Sequence, residues 1–451
     1  MISLSTAAHP AAAYTAHPLG PAVTLHHLST DRFKTARLSL TLVQAADATA
    51  SPLMTLLFGV LRRGSTHYPT LAAFNRRLDE LYGTTLTIRN YLHGDRHVIC
   101  FTAEMLEDAF LPAHDRERPL STEVLSLLAD LLLHPLTDET GRLRAGAVES
   151  ERQSLVDSLR AIRNDPRVYA GDRFRCLMCP DEPYGLSIGG TEEQVAAITP
   201  DEVTAFWRHL LAETRCELFY VGRTSAADLA AAFRSSFTDF CPGRAPLPPT
   251  IPHPVPASPQ WIEEEMPIGQ GKLCLGWSSG LHHATLDGPA DEAALLVANE
   301  LLGVMQGSRL FRRVREERGL CYYCDSALDL TKGILWVACG IRPDRRAEAE
   351  TAIRAEVEAI AQGQIEPSEV ETAKLSLLNS YRQLPDSQGA MESHCLRALL
   401  NDTASDPSVM ANAISSVTVA DVARMMACFH LDTVYFLKGT AEQSEEEDEH
   451  D

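Results

Sequence analysis

The chain has no histidine between His27 and His67 and no glutamate before Glu80. No His-Glu-x-x-His or His-x-x-Glu-His string occurs anywhere in its 451 residues. A helix carrying two imidazoles and a carboxylate for zinc hydrolysis is therefore missing. No Lys or Arg precedes Arg32, and no continuous apolar stretch opens the chain, which argues against a secretory signal. Nowhere do apolar residues approach the roughly 18 in succession that a spanning helix requires. Lys and Arg number 40 against 61 Asp and Glu, giving a net charge of -21. That balance argues against nucleic acid as a partner, because counterion release needs clustered cations. The 11 cysteines are an odd number and lie scattered through core-like segments. They form no compact disulfide framework and suit a reducing cytosol, so the expected location is cytoplasmic.

Hydrophobic content of 45% and charged content of 22% are those of an ordinary soluble globular protein. The length predicts two domains or a four-lobed pair. Residues 1–20 read as a loose segment, and 24–28 and 37–43 as strands, the second alternating apolar and polar. An apolar helix over 52–63 ends at Gly64, and a second over 70–82 ends at Gly83. Strands over 84–91 and 96–103 follow, then helices over 121–133 and 145–163 and a strand over 216–221. The segment 241–260 is proline-rich and reads as a semi-rigid linker. It separates one half at 21–240 from another at 261–440, and 441–451 is an acidic, disordered tail.

The halves echo each other. Leu57-Phe-Gly-Val-Leu-Arg-Arg-Gly64-Ser65 returns as Leu301-Leu-Gly-Val-Met-Gln-Gly307-Ser308. Ile198-Thr-Pro-Asp-Glu-Val203, leading to Tyr220-Val-Gly222, returns as Val417-Thr-Val-Ala-Asp-Val422, leading to Tyr435-Phe-Leu-Lys-Gly439. Two echoes in the same order imply duplicated α+β halves.

The chemistry-bearing stretch is Ser308-Arg-Leu-Phe311-Arg-Arg-Val-Arg315-Glu-Glu-Arg-Gly319-Leu-Cys-Tyr322. A basic helix stopped by Gly319 runs into a strand over 320–328, which puts the Arg315 guanidinium and the Tyr322 phenol at one corner. The plainer reading is a solvated helix face followed by a core tyrosine. This stretch resembles the C-terminal-half signature of the pitrilysin/insulinase-type (M16) zinc metallopeptidases. The resemblance implies an α+β fold of the LuxS/metallohydrolase-like kind, with two halves, each a mainly antiparallel sheet with helices packed on it. It also implies that Arg315 and Tyr322 hold a substrate backbone near zinc.

The family's zinc helix falls where Thr55, Phe58 and Gly59 stand in this chain, and its distal glutamate where Ser158 stands. None of these can serve, so no metal and no cofactor is expected in this chain. Glu149 and Glu151 read as a solvated helix face. A substitute site at His67, His93 and His97 lacks a carboxylate at helical spacing. The Cys176/Cys179 and Cys321/Cys324 pairs, in different halves, read as buried thiols rather than a zinc site. Gly185-Leu-Ser187-Ile-Gly189 has the letters of a nucleophile elbow, but the surrounding residues read as a loop.

In the M16 family, half-length chains pair, and one member of the pair can lack zinc. The resemblance thus implies a non-catalytic subunit, working as a heterodimer with a zinc-bearing M16 sister protein, or as a homodimer, on a peptide or unfolded segment. Phe33-Lys34-Thr35, Arg63-Gly64-Ser65 with Tyr68-Pro69, 78–83 and 269–276 resemble a zinc-free bacterial subgroup associated with 5-aminopentanol modification of elongation factor P. The alternative function is a peptide-binding scaffold that captures extended chains by β-augmentation without cleavage. Neither nucleic acid nor a membrane is an expected partner.

Overall fold

The structure is a computed structural model that describes residues 14–117, 119–238, 240, 242–243, 246–247 and 249–440. The acidic tail and most of the N-terminal segment lie outside the described residues. The chain forms two compact units: 14–161 with 186–249 and 385–396, and 162–185 with 250–384 and 397–440.

The first unit holds a sheet of β1 (Thr15–Gly20), β2 (Val23–Ser29), β3 (Thr35–Ala45), β4 (Thr85–His93), β5 (Arg96–Leu106) and β6 (Arg215–Gly222). Its order is β1-β2-β6-β3-β5-β4. The second unit holds β7 (Gln260–Met266), β8 (Gly271–Ser278), β9 (Cys321–Asp329), β10 (Ile334–Ile341) and β11 (His430–Gly439), in the order β7-β11-β8-β10-β9. In each sheet the first strand of the shared five pairs in parallel with the last, β2 with β6 and β7 with β11. The other pairings run antiparallel. The echo in sequence is thus a duplication of topology, and β1 is an extra hairpin strand on the first copy. Thr15–Gly20 therefore departs from the loose segment expected over 1–20, because it pairs with β2 from Thr15–His27 to Gly20–Val23.

The units are not the contiguous halves expected from the proline-rich segment. The helix Pro166–Met178 packs on the second sheet, where Phe174 stacks with Trp336 at 5.9 Å between ring centroids. Gly276 on β8 makes the approach possible: a Cβ there would lie 2.6 Å from both Met178 Sδ and Phe174 Cζ. In exchange, residues 385–396 belong to the first unit. Leu38, Leu40 and Leu42 of β3 join the main core, while the alternate residues Ser39 and Thr41 are also fully buried. The sequence predicted a strand with one solvated face. That face is instead covered by the start of the helix Gln388–Asn401, whose Glu392 accepts from Arg37 Nε (2.7 Å) and Ser39 Oγ (2.8 Å). A local pattern cannot announce a cover supplied by residues so distant in sequence.

Among the described residues no helix is long and apolar enough to cross a membrane.

Candidate functional site

The helix Ala50–Arg62 occupies the place of the expected zinc helix, and its residues serve packing. Thr55 Oγ1 donates to the carbonyls of Ser51 (3.1 Å) and Ile188 (2.9 Å), and accepts from Asn90 Nδ2 (2.9 Å). Phe58 is buried in the core, edge-on to Phe101 with centroids 5.1 Å apart. Gly59 leaves its space to Glu151, whose Oε2 lies 2.6 Å from where a Cβ would stand. Ser158, on the helix Ala145–Ile162, donates to the carbonyl of Ser154 at 2.8 Å. A hydroxyl tied to backbone, a phenyl ring, a glycine and a second tied hydroxyl do not fit the family's catalytic zinc. Glu151 departs from a purely solvated role, since it pairs with Arg63 Nε at 2.5 Å.

The three histidines considered as a substitute do not converge. His67 is exposed on a loop and bonds Asp130 through Nδ1 at 2.5 Å. His93 ends β4 opposite Arg96. His97 is fully buried on β5, an inner strand, where Nε2 bonds Asn90 and Nδ1 stands 3.5 Å from Ser51 Oγ. Burial pushes the His97 imidazole down to about 4, although Asp47 pulls the other way. It is a neutral core histidine. Ser187 sits in a turn closed by its carbonyl and Gly190 N–H (3.1 Å), with no strand before it or helix opening from it. The nucleophile elbow is not formed.

In the second unit Arg315 lies on the segment Leu310–Glu316 and Tyr322 on the strand that follows, Cys321–Asp329. The segment Leu310–Glu316 is wound as a π-helix, wider than the α-helix expected, with Glu317 N–H bonded to Arg312 O at 2.8 Å. Such turns recur at functional sites. Gly319 stops it at φ 59°, the left-handed value the sequence predicted. Arg309, next to the opening serine, is no surface residue: only 1% exposed, it donates to Glu369 Oε2 (2.5 Å) and Gln364 O (2.6 Å). It anchors the helix, leaving Arg315 on the outer side with its guanidinium 4.9 Å from the Phe311 ring centroid.

Tyr322 is 68% exposed, which excludes the core tyrosine of the plainer reading. It lies on β9, the edge of its sheet, where the register jumps: Gly340 pairs with Tyr323 and Ile341 with Cys321, skipping Tyr322. Tyr322 is the extra residue of a β-bulge, a device that re-aims a side chain. The bulge also lets Cys321 and Cys324 share a face. A hydrogen bond from Cys324, followed by the charge of Arg315, holds the Cys321 thiol below its ordinary range. The arginine's field thus reaches the residue beside Tyr322.

The two Cys-x-x-Cys pairs lie in the same unit, contrary to expectation, because 162–185 packs with the second sheet. They nevertheless do not form a four-thiolate site. Cys324 bonds Cys321 and Cys339, whereas Cys179 turns towards His253 at 3.6 Å. Glu182 completes a cluster with those two, which sequence reading missed because its members are 74 residues apart and His253 lay in a supposed linker.

Residues 197–377 match the family described as "Peptidase M16 inactive domain". Over 419 residues the chain is 28% identical to the probable inactive metalloprotease YmfF of Bacillus subtilis (strain 168), covering 93% of this chain and 96% of that one. A conserved protein from Enterococcus faecalis V583 superposes with a TM-score of 0.86 at 25% identity, over 95% of this chain and 99% of that one. A peptidase M16 inactive domain from Pseudomonas fluorescens, 18% identical, shares the fold with a TM-score of 0.75 over 95% and 98%. With the duplicated sheets, these likenesses show that the chain shares the M16 peptidase fold and is similar, over residues 197–377, to the family's inactive domain.

Proposed function

We propose that this chain is the non-catalytic half of a two-chain M16 peptidase. It pairs with a zinc-bearing M16 protein in the cytosol and contributes Arg315 and Tyr322 to the binding of a peptide. The observation that carries this reading is the contrast between the halves. The zinc positions have become packing, while Tyr322 is exposed at a bulge and Arg315 rests on Phe311 with part of its side chain in solvent. A guanidinium and a phenol are both donors, suited to a carbonyl oxygen on which negative charge builds during hydrolysis. Zinc and the water-activating carboxylate belong to the partner. The resemblance to the zinc-free subgroup connects the pair to elongation factor P modification.

Edge strand β9 favours a second reading, a scaffold that adds an extended peptide to its sheet without cleavage. Peptide cleavage by this chain, by a zinc-bearing M16 protein and by their mixture separates the two. Activity that appears or rises in the mixture, with co-elution of the chains, supports the first reading. Peptide binding without cleavage in any mixture supports the scaffold, and cleavage by this chain alone overturns both.

A further inference from the structure

The second unit contains a buried cluster that the proposed peptide-binding role does not use. The helix Pro166–Met178 is capped by Cys179, and the turn after it brings Glu182 back, its N–H bonded to Cys179 O at 3.3 Å. Gly185 permits this turn, since a Cβ there would stand 1.8 Å from the Cys179 carbonyl oxygen. His253 enters from the proline-rich segment between Pro252 and Pro254, whose rings fix the backbone, and its N–H donates to Lys332 O at 2.8 Å. Cys179 is fully buried and His253 6% exposed, while Glu182 is half-buried at the rim.

The histidine is oriented from behind. Its Nε2 lies 3.1 Å from Asp432 Oδ2, and that carboxylate is itself fixed by Ser278 Oγ (3.0 Å) and Thr433 Oγ1 (2.8 Å). Nδ1 therefore points into the cluster, where it bonds Glu182 Oε1 and stands 3.6 Å from Cys179 Sγ. The three candidate ligand atoms all lie within 4.8 Å of one another. A sulfur and an imidazole nitrogen bound tetrahedrally to one zinc ion stand about 3.6 Å apart, from bond lengths of about 2.3 and 2.1 Å. A carboxylate on the far nitrogen is the arrangement that fixes the ring of a metal-bound histidine. Lys332 Nζ holds the second Glu182 oxygen at 2.6 Å and steadies the third ligand.

We propose that Cys179, Glu182 and His253 form a structural binding site for a divalent, thiophilic cation of the zinc type. The donor set of one thiolate, one imidazole and one carboxylate selects such an ion over magnesium or calcium. Binding replaces two protons, one on the thiol and one on Nδ1, so the cluster's net charge stays the same. Glu182 moves outward by about 1 Å to make room, which its place at the rim allows. The ion joins the end of the helix, the proline-rich segment and, through Asp432, β11. This departs from the expectation of a chain without metal. The site is distinct from Thr55, Phe58, Gly59 and Ser158, so zinc bound here confers no peptidase activity.

The test is metal content of the full chain after dialysis against a weak chelator, with Cys179→Ser, His253→Gln and Cys176→Ser as variants. Stoichiometric zinc is expected in the wild type and in Cys176→Ser, and its loss in the other two. Cobalt substitution gives a second readout: a thiolate-to-cobalt charge-transfer band in the wild type and Cys176→Ser, absent from Cys179→Ser. A strong chelator should lower the unfolding midpoint of the wild type and leave that of folded Cys179→Ser unmoved. A wild type that retains no metal and develops no cobalt band overturns the proposal, leaving a protonated His253 between two carboxylates. Zinc retained equally in Cys179→Ser and His253→Gln overturns it as well. Neither result bears on the pairing with a peptidase partner, which the mixing experiment tests separately.

Discussion

The Glu151 carboxylate stands where a side chain on residue 59 would begin, 2.6 Å from the Cβ position of Gly59. Its other oxygen pairs with Arg63 Nε, one turn further along the same helix. The space that resemblance assigns to a zinc ligand is thus closed by a carboxylate–guanidinium pair. Phe58 beside it faces the opposite way, into the core against Phe101.

Phe58→Glu, which places a carboxylate where the resemblance implies the family's glutamate, should therefore cost about 3–5 kcal/mol, since it deletes a buried ring and buries a carboxylate. Urea unfolding monitored by circular dichroism measures it. A loss under about 1 kcal/mol would show that the position tolerates a carboxylate.

His97 makes stability depend on pH. Burial holds its folded value at about 4, against 6.5 for the free side chain. Between those values the unfolded chain binds a proton that the folded chain refuses, so stability falls as pH drops through this window. The loss approaches about 3 kcal/mol at the acid end and is absent above pH 6.5. Thermal midpoints of the wild type should fall more steeply between these limits than those of His97→Gln. Parallel curves would count against a neutral imidazole at this position.

What the sequence made legible was whatever its local pattern determines. Strand alternation in 37–43, the stop at Gly319 and the echoes around Gly64 and Gly307 each report a periodicity or a backbone need, and each led to the observed element. The missing zinc ligands were equally plain, because they are residue identities. Three features depended on distant segments. Glu392 buries the polar face of β3, Phe174 places its helix on the second sheet, and His253 meets Cys179. The bulge at Tyr322 also escaped notice, since it is defined by the register against β10 rather than by β9 itself.

Arg309 shows the same limit in a charged residue. It belongs to a run of arginines that reads as solvated, yet its guanidinium is buried and bonds Glu369 and Gln364. Against the upward pull of burial, the Arg309 hydrogen bond and the Glu366 backbone N–H hold the Glu369 carboxyl below its ordinary range. Arg309→Met should cost about 3–5 kcal/mol, because it leaves a buried carboxylate without its main partner. Arg309→Lys keeps the charge without the fork and should lie between. Chemical denaturation of both variants checks this, and a neutral Arg309→Met would mean that Arg312 and Arg313 already satisfy Glu369.

Arg315 and Tyr322 call for the opposite outcome. Tyr322 is largely exposed and Arg315 rests on Phe311 with much of its side chain in solvent, so neither supports the fold. Arg315→Ala and Tyr322→Phe should change stability by no more than about 0.5 kcal/mol. Their effect should fall on turnover by the mixed pair. Removing a preorganised donor to a carbonyl oxygen that gains charge costs on the order of 10²-fold in kcat. Co-elution with the zinc-bearing protein should persist in both variants, which separates a lost donor from a lost interface. If the mixture cleaves peptide at the wild-type rate with either variant, that residue faces no reacting carbonyl. The exposed bulge would then serve peptide capture on the β9 edge, and peptide affinity, rather than turnover, would register the substitution.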